Sequence, residues 1–248
     1  MKVETVTQIH TSYARLGAYE RVCVERWRAL NPEVCYQFLT DGDIDPWVEE
    51  RWPQHAETYR SMYPICRAGV QRLASVLRWG GLYIDCGTYP VKRIADFLPE
   101  GIWDRDLAMF NLKSRINYYP LVTDCMFAAI EGHPFIAGLI EEIFRRTECP
   151  SFRANRTDAD GEFNYRGYVF DTASVHAYSQ YALQQDVKGV NGLPDADIID
   201  LHGKPESLNT FRYSTECWLE DNRFVRDGIN KHEQEMQTLE ILKDTYGI

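Results

Sequence analysis

Long hydrophobic runs are missing from this sequence, in which no apolar stretch reaches the roughly 18 residues that indicate a transmembrane helix. Residues 1–5 also lack the charged and then apolar pattern of a signal peptide. Both absences argue against insertion into a membrane and against secretion. We therefore expect no membrane span and a cytoplasmic protein.

Positive charge is also scarce. The 27 Lys and Arg residues face 37 Asp and Glu residues, which gives a formal net charge of -10. Because a field of this sign repels polyanions, we expect no nucleic-acid partner. A local basic groove remains compatible with this composition.

The third absence is that of a Cys-x-x-Cys pair. The sequence has seven cysteines, an odd number, and they are widely spread. This pattern favours reduced thiols in a cytoplasmic protein over a disulfide framework or a zinc site. Most of them should pack as small buried hydrophobic side chains.

What is present is enough apolar material for a core. Of the 248 residues, 44% are hydrophobic and 13% aromatic, which is too hydrophobic for a disordered chain. A single α/β domain can reach this length. We predict one domain over residues 1–248.

The first part of the chain alternates between strand and helix patterns. A short alternating segment at 6–10 predicts a strand, apolar positions at helical spacing predict a helix at 18–30, and the β-formers at 34–39 predict a second strand. Turn residues follow at 40–43, and a Trp-rich stretch at 45–60 looks helical. This order is typical of a mostly parallel α/β sheet.

A helix at 67–79 is predicted next, from the spacing of its apolar residues. Gly80 and Gly81 end it, and a short strand at 82–84 then delivers Asp85 at its carboxyl end. Ligands of such sheets bind beyond the carboxyl ends of the strands, so Asp85 is a candidate site residue. The alternative is an ordinary turn aspartate.

The rest of the chain gives further elements. The period does not decide whether 122–130 is a helix or a buried strand, while His133 before Pro134 is expected to cap a helix. Polar residues at 150–167 predict a long surface loop. The other expected elements are strands at 107–112 and 197–201 and helices at 174–184 and 228–246.

Three blocks carry a resemblance to a known family. Arg72 followed by Trp79-Gly80-Gly81-Leu82-Tyr83-Ile84-Asp85 resembles the donor-site signature of the Asp-x-Asp sugar transferases, which are glycosyltransferase family 32 and its relatives. Ile9-His10-Thr11-Ser12-Tyr13 is similar to the family's opening strand, and Trp27 to Pro32 to its Trp-x-x-Leu-Asn-Pro pattern. Asp124 to Phe135 resembles a third block, which ends in Gly-His-Pro-Phe.

This resemblance implies a GT-A-like single domain with a mostly parallel central sheet flanked by helices. It implies transfer of a hexose-type sugar, usually with retention, from a UDP- or GDP-sugar to a glycan or other hydroxyl acceptor, as in polysaccharide biosynthesis. A divalent cation, Mn²⁺ or Mg²⁺, would assist by stabilising the leaving diphosphate.

The resemblance also assigns roles to residues. Asp85, Arg72 and Asp124 would be catalytic, with Asp85 on the ribose or the metal, and Asp124 on the acceptor or the sugar. Tyr13, where the family has tryptophan, would stack on the base unless it is a core tyrosine. The residues expected to bind the donor are His10, Tyr13, Arg72, Gly80, Gly81, Tyr83, Asp85 and Gly87.

Two carboxylates of the family pattern are missing. Its second metal-binding aspartate falls on Gly87, as in a branch of capsular-polysaccharide enzymes, and the aspartate three residues before the arginine falls on Gly69. One carboxylate provides too few oxygen ligands for a hard divalent cation. Glu216 is therefore expected to join Asp85 as a metal ligand, and His202 is a weaker candidate.

These departures leave two alternatives to an active transferase. The first is a catalytically inactive relative that binds a nucleotide or a glycan without transferring sugar. The second is a protein-interaction module on the same scaffold, which would use exposed aromatic residues and bind no nucleotide. The candidates for that surface are Trp47, Trp52, Tyr59 and Tyr63.

Overall fold

The computed structural model describes residues 4–90, 93–97, 105–112, 121–154, 163–185 and 240. The strand expected at 197–201 and the residues His202 and Glu216 lie outside this part of the chain. The helix expected at 228–246 also lies outside it, apart from one helical residue at 240.

The described residues form a central sheet of five strands in the order β2-β1-β3-β5-β4. Strand β1 pairs in parallel with β2 and β3, whereas β5 pairs antiparallel with β3 and β4. Four strands therefore share one direction, and β5 runs against them. The strands are β1 Thr5–Ile9, β2 Cys35–Leu39, β3 Gly81–Ile84, β4 Leu107–Leu112 and β5 Leu121–Ala129.

Helices cover both faces of this sheet. In β3, Leu82 and Ile84 pack with Trp27 of the first helix, while Tyr83 belongs to the larger core cluster on the opposite face. The predicted α/β class, with a mostly parallel sheet between helices, is confirmed. The helices are α1 Ala18–Leu30, α2 Asp41–Arg51, α3 Ala56–Ser61, α4 Pro64–Trp79, α5 Ile94–Phe97, α6 Pro134–Glu148, α7 Pro150–Ala154, α8 Tyr165–Ala173 and α9 Val175–Gln184.

Two segments differ from the sequence prediction. The residues at 41–43 begin α2 instead of forming a turn, because the Asp43 carboxylate accepts a hydrogen bond of 2.8 Å from the Thr40 N–H and so completes a capping box. The predicted loop at 150–167 contains α7 and the start of α8. As expected, His133 caps α6, with its Nδ1 accepting a hydrogen bond from the Phe135 N–H.

The aromatic residues suggested for an interaction surface belong to the core. Trp52 is 4% exposed and Tyr59 is 1% exposed, while Trp47 and Tyr63 pack against the same cluster. The interaction-module interpretation depended on the exposure of these four side chains, so it is wrong on that point.

Among the described residues, no helix is both long enough and apolar enough to cross a membrane. The six described cysteines are all free. The seventh, Cys217, lies outside the described part of the chain.

Candidate active site

Strands β1, β2 and β3, which pair in parallel, bring their carboxyl ends to one edge of the sheet. Strands β1 and β3 end at Ile9 and Ile84, so His10 and Asp85 follow them at this edge. Strand β5 reaches the same edge from the opposite direction, where the Asp85 N–H donates a 2.9 Å hydrogen bond to the Cys125 carbonyl. Asp124 therefore lies beside Asp85 although the two are far apart in sequence.

Arg72 of α4 joins these two carboxylates. Its Nη1 donates to Asp124 Oδ2 at 3.0 Å, and its Nη2 donates to Asp85 Oδ2 at 3.3 Å. Its Nε lies 3.1 Å from Asp85 Oδ1. The three predicted catalytic residues thus form one hydrogen-bonded group, which we call the Arg72 cluster.

The Arg72 cluster is largely buried. The side chains of Arg72, Asp85 and Asp124 are 12%, 14% and 9% exposed, so Asp85 is mostly shielded from solvent although it lies at the end of a strand. Burial raises the pKa of Asp85, and the Arg72 guanidinium only partly opposes this shift. The pKa of Arg72 stays well above its ordinary value because Asp85, Tyr83 and Asp124 outweigh the effect of its burial.

Other side chains complete the hydrogen bonding of the cluster. The Tyr83 hydroxyl donates to Asp85 Oδ1 and accepts from Arg72 Nε at 3.2 Å. Ser174, between α8 and α9, donates to Asp124 Oδ2 at 2.6 Å. Tyr83, predicted to bind the donor, is buried here as a partner of Asp85.

The backbone of Asp85 is held separately. Gln8 of β1, which is fully buried, donates from Nε2 to the Asp85 carbonyl at 3.1 Å, and its Oε1 accepts from the Tyr36 hydroxyl. Side-chain polar groups of this kind are rarely buried without such partners. This chain of hydrogen bonds ties β2, β1 and the end of β3 together.

Helix α1 fixes the segment that follows Asp85. Tyr19 donates to the Gly87 carbonyl at 3.0 Å, and Trp27 Nε1 donates to the Thr88 carbonyl at 2.7 Å. Arg26 Nε donates to the Pro90 carbonyl at 2.9 Å. Gly87, a predicted donor-binding residue, therefore lies in a segment whose backbone carbonyls are hydrogen-bonded to side chains of α1.

Two further candidates follow the end of β1. The Tyr13 ring is 39% exposed and contacts Phe38 edge to face, with ring centroids 5.3 Å apart, while its hydroxyl donates to Glu25. The His10 ring nitrogen Nδ1 lies 2.9 Å from the Ser12 carbonyl. An exposed ring at this edge can offer a face to a planar ligand.

The assignment of Gly80 and Gly81 to the donor site needs correction. They lie at the opposite end of β3 from Asp85, and both have positive φ values, of 65° and 93°. A Cβ on Gly81 would meet the Thr5 carbonyl oxygen at 2.4 Å. These glycines close α4 and allow β3 to approach β1, so their role is structural.

The structure also explains the missing carboxylate at Gly69. A Cβ at this position would lie 2.3 Å from the Ala173 carbonyl oxygen, and the Tyr178 hydroxyl donates to the Gly69 carbonyl at 3.0 Å. The end of α8 and the start of α9 therefore occupy the space into which a side chain at position 69 would point.

The described residues do not fit the divalent cation that the resemblance implies. Both Asp85 and Asp124 bind one guanidinium, and all four of their carboxylate oxygens accept hydrogen bonds from this chain. Within the described ranges, no group of three or more His, Cys, Asp or Glu side chains could hold a metal. The second predicted ligand, Glu216, lies outside those ranges.

Sequence reasoning missed several supporting residues. Ser174, Gln8 and Tyr178 reach the site from distant segments, and no fixed spacing connects them with Asp85. The one usable signal is Gln8 within the predicted strand, since a polar side chain that is buried in a sheet must find partners.

Residues 17–104 match a family model described as a glycosyltransferase sugar-binding region containing a DXD motif. This range contains Arg72, Asp85 and the helix that holds the segment after Asp85. The match confirms the prediction of a glycosyltransferase, although it does not distinguish family 32 from its relatives. No curated protein matches the sequence.

Several solved structures resemble this chain, and three of them are glycosyltransferases from different sources. The PaToxG glycosyltransferase is 13% identical, with a TM-score of 0.47 over 96% of this chain and 87% of that one. The UDP-bound glycosyltransferase domain of the YGT toxin is 9% identical, with a TM-score of 0.42 over 86% and 63% of the two chains. A glycosyltransferase involved in glycosylation of the major capsid of PBCV-1 is 16% identical, with a TM-score of 0.30 over 59% and 68%.

Proposed function

We propose that this chain transfers a hexose-type sugar, with retention, from a UDP- or GDP-sugar to a hydroxyl group of a glycan or similar acceptor. The observation that carries the proposal is the Arg72 cluster, which lies at the carboxyl edge of the parallel strands and includes two carboxylates. It lies where ligands of such sheets bind, and its Arg72 and Asp85 fall within the sugar-binding region matched by the family model.

The chemistry needs groups that bind sugar hydroxyls and stabilise positive charge at the anomeric carbon. Carboxylates at a partly buried site do both, because charge-assisted hydrogen bonds are strong and the local dielectric is low. In this proposal Asp85 accepts from hydroxyls of the ribose or the sugar, and Asp124 supports the sugar or orients the acceptor. An oxocarbenium-like centre beside these carboxylates is stabilised electrostatically.

Arg72 fixes the positions of both carboxylates. Contacts with Asp85, Tyr83 and Asp124 engage three of the five N–H groups of its guanidinium. Within the described part of the chain, the other two are left to donate to an oxygen of the donor. A preorganised group of this kind avoids reorganisation during the reaction. Arg72 thus serves the donor directly and through the two carboxylates.

Tyr13 is proposed to stack on the nucleobase. Its exposure of 39% at the end of β1 supports this role over that of a core tyrosine. Stacking on an aromatic face tolerates different bases, which is compatible with either UDP or GDP.

We further propose that residues 1–248 act as one domain in the cytoplasm, in the synthesis of a polysaccharide. The free cysteines agree with a reducing compartment. The acidic composition agrees with a small-molecule donor and a glycan acceptor rather than a nucleic acid.

A thermal-shift screen with UDP- and GDP-sugars tests the proposal. A ligand that binds only the folded state raises the melting temperature, so at least one nucleotide sugar should do so at millimolar concentration. Release of UDP or GDP from that donor then establishes turnover. If no nucleotide sugar binds, the donor site is wrongly placed.

One alternative keeps a specific observation in its favour. The closed space at Gly69 and the absence of a carboxylate at Gly87 suit a relative that binds a nucleotide or glycan and transfers nothing. Such a protein would show the thermal shift but release no nucleoside diphosphate. The same pair of measurements therefore separates the two functions.

A further inference from the structure

We propose that the Arg72 guanidinium occupies the place between Asp85 and Asp124 where a divalent cation would bridge them, so that the protein binds nucleoside diphosphates without a divalent cation. This inference rests on the proposed donor site. It concerns which positive charge neutralises the carboxylates of that site. It departs from the metal requirement that the family resemblance implies.

The geometry is that of a bridging cation. The guanidinium contacts both oxygens of Asp85, at 3.1 and 3.3 Å, and Oδ2 of Asp124, at 3.0 Å. A planar guanidinium suits such two-point contact with a carboxylate. One fixed positive charge thus joins the two negative charges.

The carboxylate oxygens already have donors. The Tyr83 hydroxyl binds Asp85 Oδ1, Ser174 binds Asp124 Oδ2, and the Cys125 thiol lies 3.5 Å from Asp124 Oδ1. A hard cation such as Mg²⁺ or Ca²⁺ is coordinated by about six or more oxygen ligands, each of which needs a free lone pair. A cation here would have to compete with these donors and also approach the positive charge of Arg72.

Arg72 is held in this place by its surroundings. It projects from the middle of α4, between Gln71 and Leu73, which are both buried, and one turn after Gly69, which packs against Ala173. An arginine guanidinium stays positively charged in proteins, so this bridge carries a fixed charge.

Calorimetric titration of the full chain with UDP and with GDP tests the inference. Each titration is done once with EDTA and once with MnCl₂. We expect dissociation constants that agree within about twofold between the two conditions. Binding that is more than about tenfold tighter with Mn²⁺ would overturn the inference but leave the proposed function standing. Failure of both nucleotides to bind in either condition would overturn both.

A second measurement uses Mn²⁺ alone and the Arg72→Met variant. Removing the guanidinium leaves two uncompensated carboxylates, so Mn²⁺ should raise the melting temperature of this variant. Wild type and the control Arg67→Met should not respond. Arg67 lies on the same helix and pairs with the single carboxylate of Asp41 at 3.3 Å, so its loss creates no such carboxylate pair.

Two outcomes would contradict the inference. An equal rise in the melting temperature of the wild-type protein with Mn²⁺ would show that Arg72 does not keep a cation out. An Arg72→Met variant that folds but ignores Mn²⁺ would show that the guanidinium is not what replaces the metal. If the variant fails to fold, the response of wild type alone still decides.

Discussion

At the scale of single residues, Arg72 is the shared counter-ion of two buried carboxylates. Arg72→Met would leave Asp85 and Asp124 buried without their counter-ion, which should lower the free energy of unfolding by about 3 to 5 kcal/mol. Arg67→Met removes a pair whose two side chains are each 28% exposed, and should cost about 0 to 1 kcal/mol. Urea unfolding of both variants measures the difference, and equal losses would contradict the account.

Tyr13 is the residue on which nucleobase binding depends. Tyr13→Ala should raise the dissociation constant of the donor by roughly 5- to 150-fold, which corresponds to about 1 to 3 kcal/mol of stacking. Tyr13→Phe keeps the ring and loses only the contact with Glu25, so its affinity should stay near that of wild type. Calorimetry with the same nucleotide compares them. Equal losses would assign the effect to the hydroxyl group.

The central residues of the site were predictable from the sequence, but their partners were not. Arg72, Asp85 and Asp124 belong to blocks with recognisable spacing, and the structure brings them together. Ser174 and Gln8 come from segments whose approach depends on the completed sheet. The motif glycines Gly80 and Gly81 were misassigned because sequence does not separate a glycine needed for backbone approach from one that faces a ligand.

At the scale of elements, the crossing of α4 and α8 depends on Gly69. The Cβ of Gly69→Ala would meet the Ala173 backbone at 2.3 Å, so this variant should lose about 1 to 3 kcal/mol of stability. Gly42→Ala is the control, because its Cβ would lie 3.7 Å from the Thr40 hydroxyl in an ordinary contact. It should be neutral or gain up to about 1 kcal/mol from the helix propensity of alanine. Similar unfolding curves for the two variants would refute the close crossing.

Ion pairs of Glu142 within α6 should make stability depend on pH. Hydrogen bonds from Arg145 and Arg146 lower the pKa of Glu142 in the folded state, and Arg146 also donates to the Asp171 carbonyl at 2.6 Å. The folded state therefore binds fewer protons at this group. Its contribution is present above the unfolded pKa of about 4.3 and is lost as the pH falls through the folded value.

Glu142→Gln tests this linkage. The variant should be less stable than wild type by about 1 to 3 kcal/mol at pH 7, and the difference should shrink as the pH falls below about 4. Glu49→Gln, which breaks a surface pair with Arg60, should show little change at either pH. A difference for Glu142→Gln that stays constant from pH 7 to pH 3 would contradict the assigned pKa shift.

The range of α1 and the start of α6 were predicted correctly, because both carry clear local signals. The sequence does not decide between helix and strand for β5, because residues 122–129 are all buried and a fully buried strand shows no alternation. The prediction of a turn at 40–43 is wrong for a different reason. Asp and Gly favour turns locally, but the hydrogen bonds between Thr40 and Asp43 make the same residues a helix start.

At the scale of the whole molecule, the site depends on the one strand of the described sheet, β5, that runs antiparallel to the others. Because β5 runs antiparallel beside β3, Asp124 reaches the edge where Asp85 ends its strand. Strand order and direction are set by long-range packing, which local sequence patterns do not contain. The sequence could therefore predict the α/β class but not that these two carboxylates share Arg72.

The most direct test of the account is release of UDP or GDP from a nucleotide sugar by wild type, Asp85→Asn and Asp96→Asn. Asp96 is an exposed carboxylate on α5 and serves as the control. Asp85→Asn keeps the shape of the side chain but removes its charge. We expect wild type and Asp96→Asn to release the nucleotide, and Asp85→Asn to remain folded by circular dichroism and release none above background. A folded Asp85→Asn protein that turns over the donor at the wild-type rate would contradict the central claim.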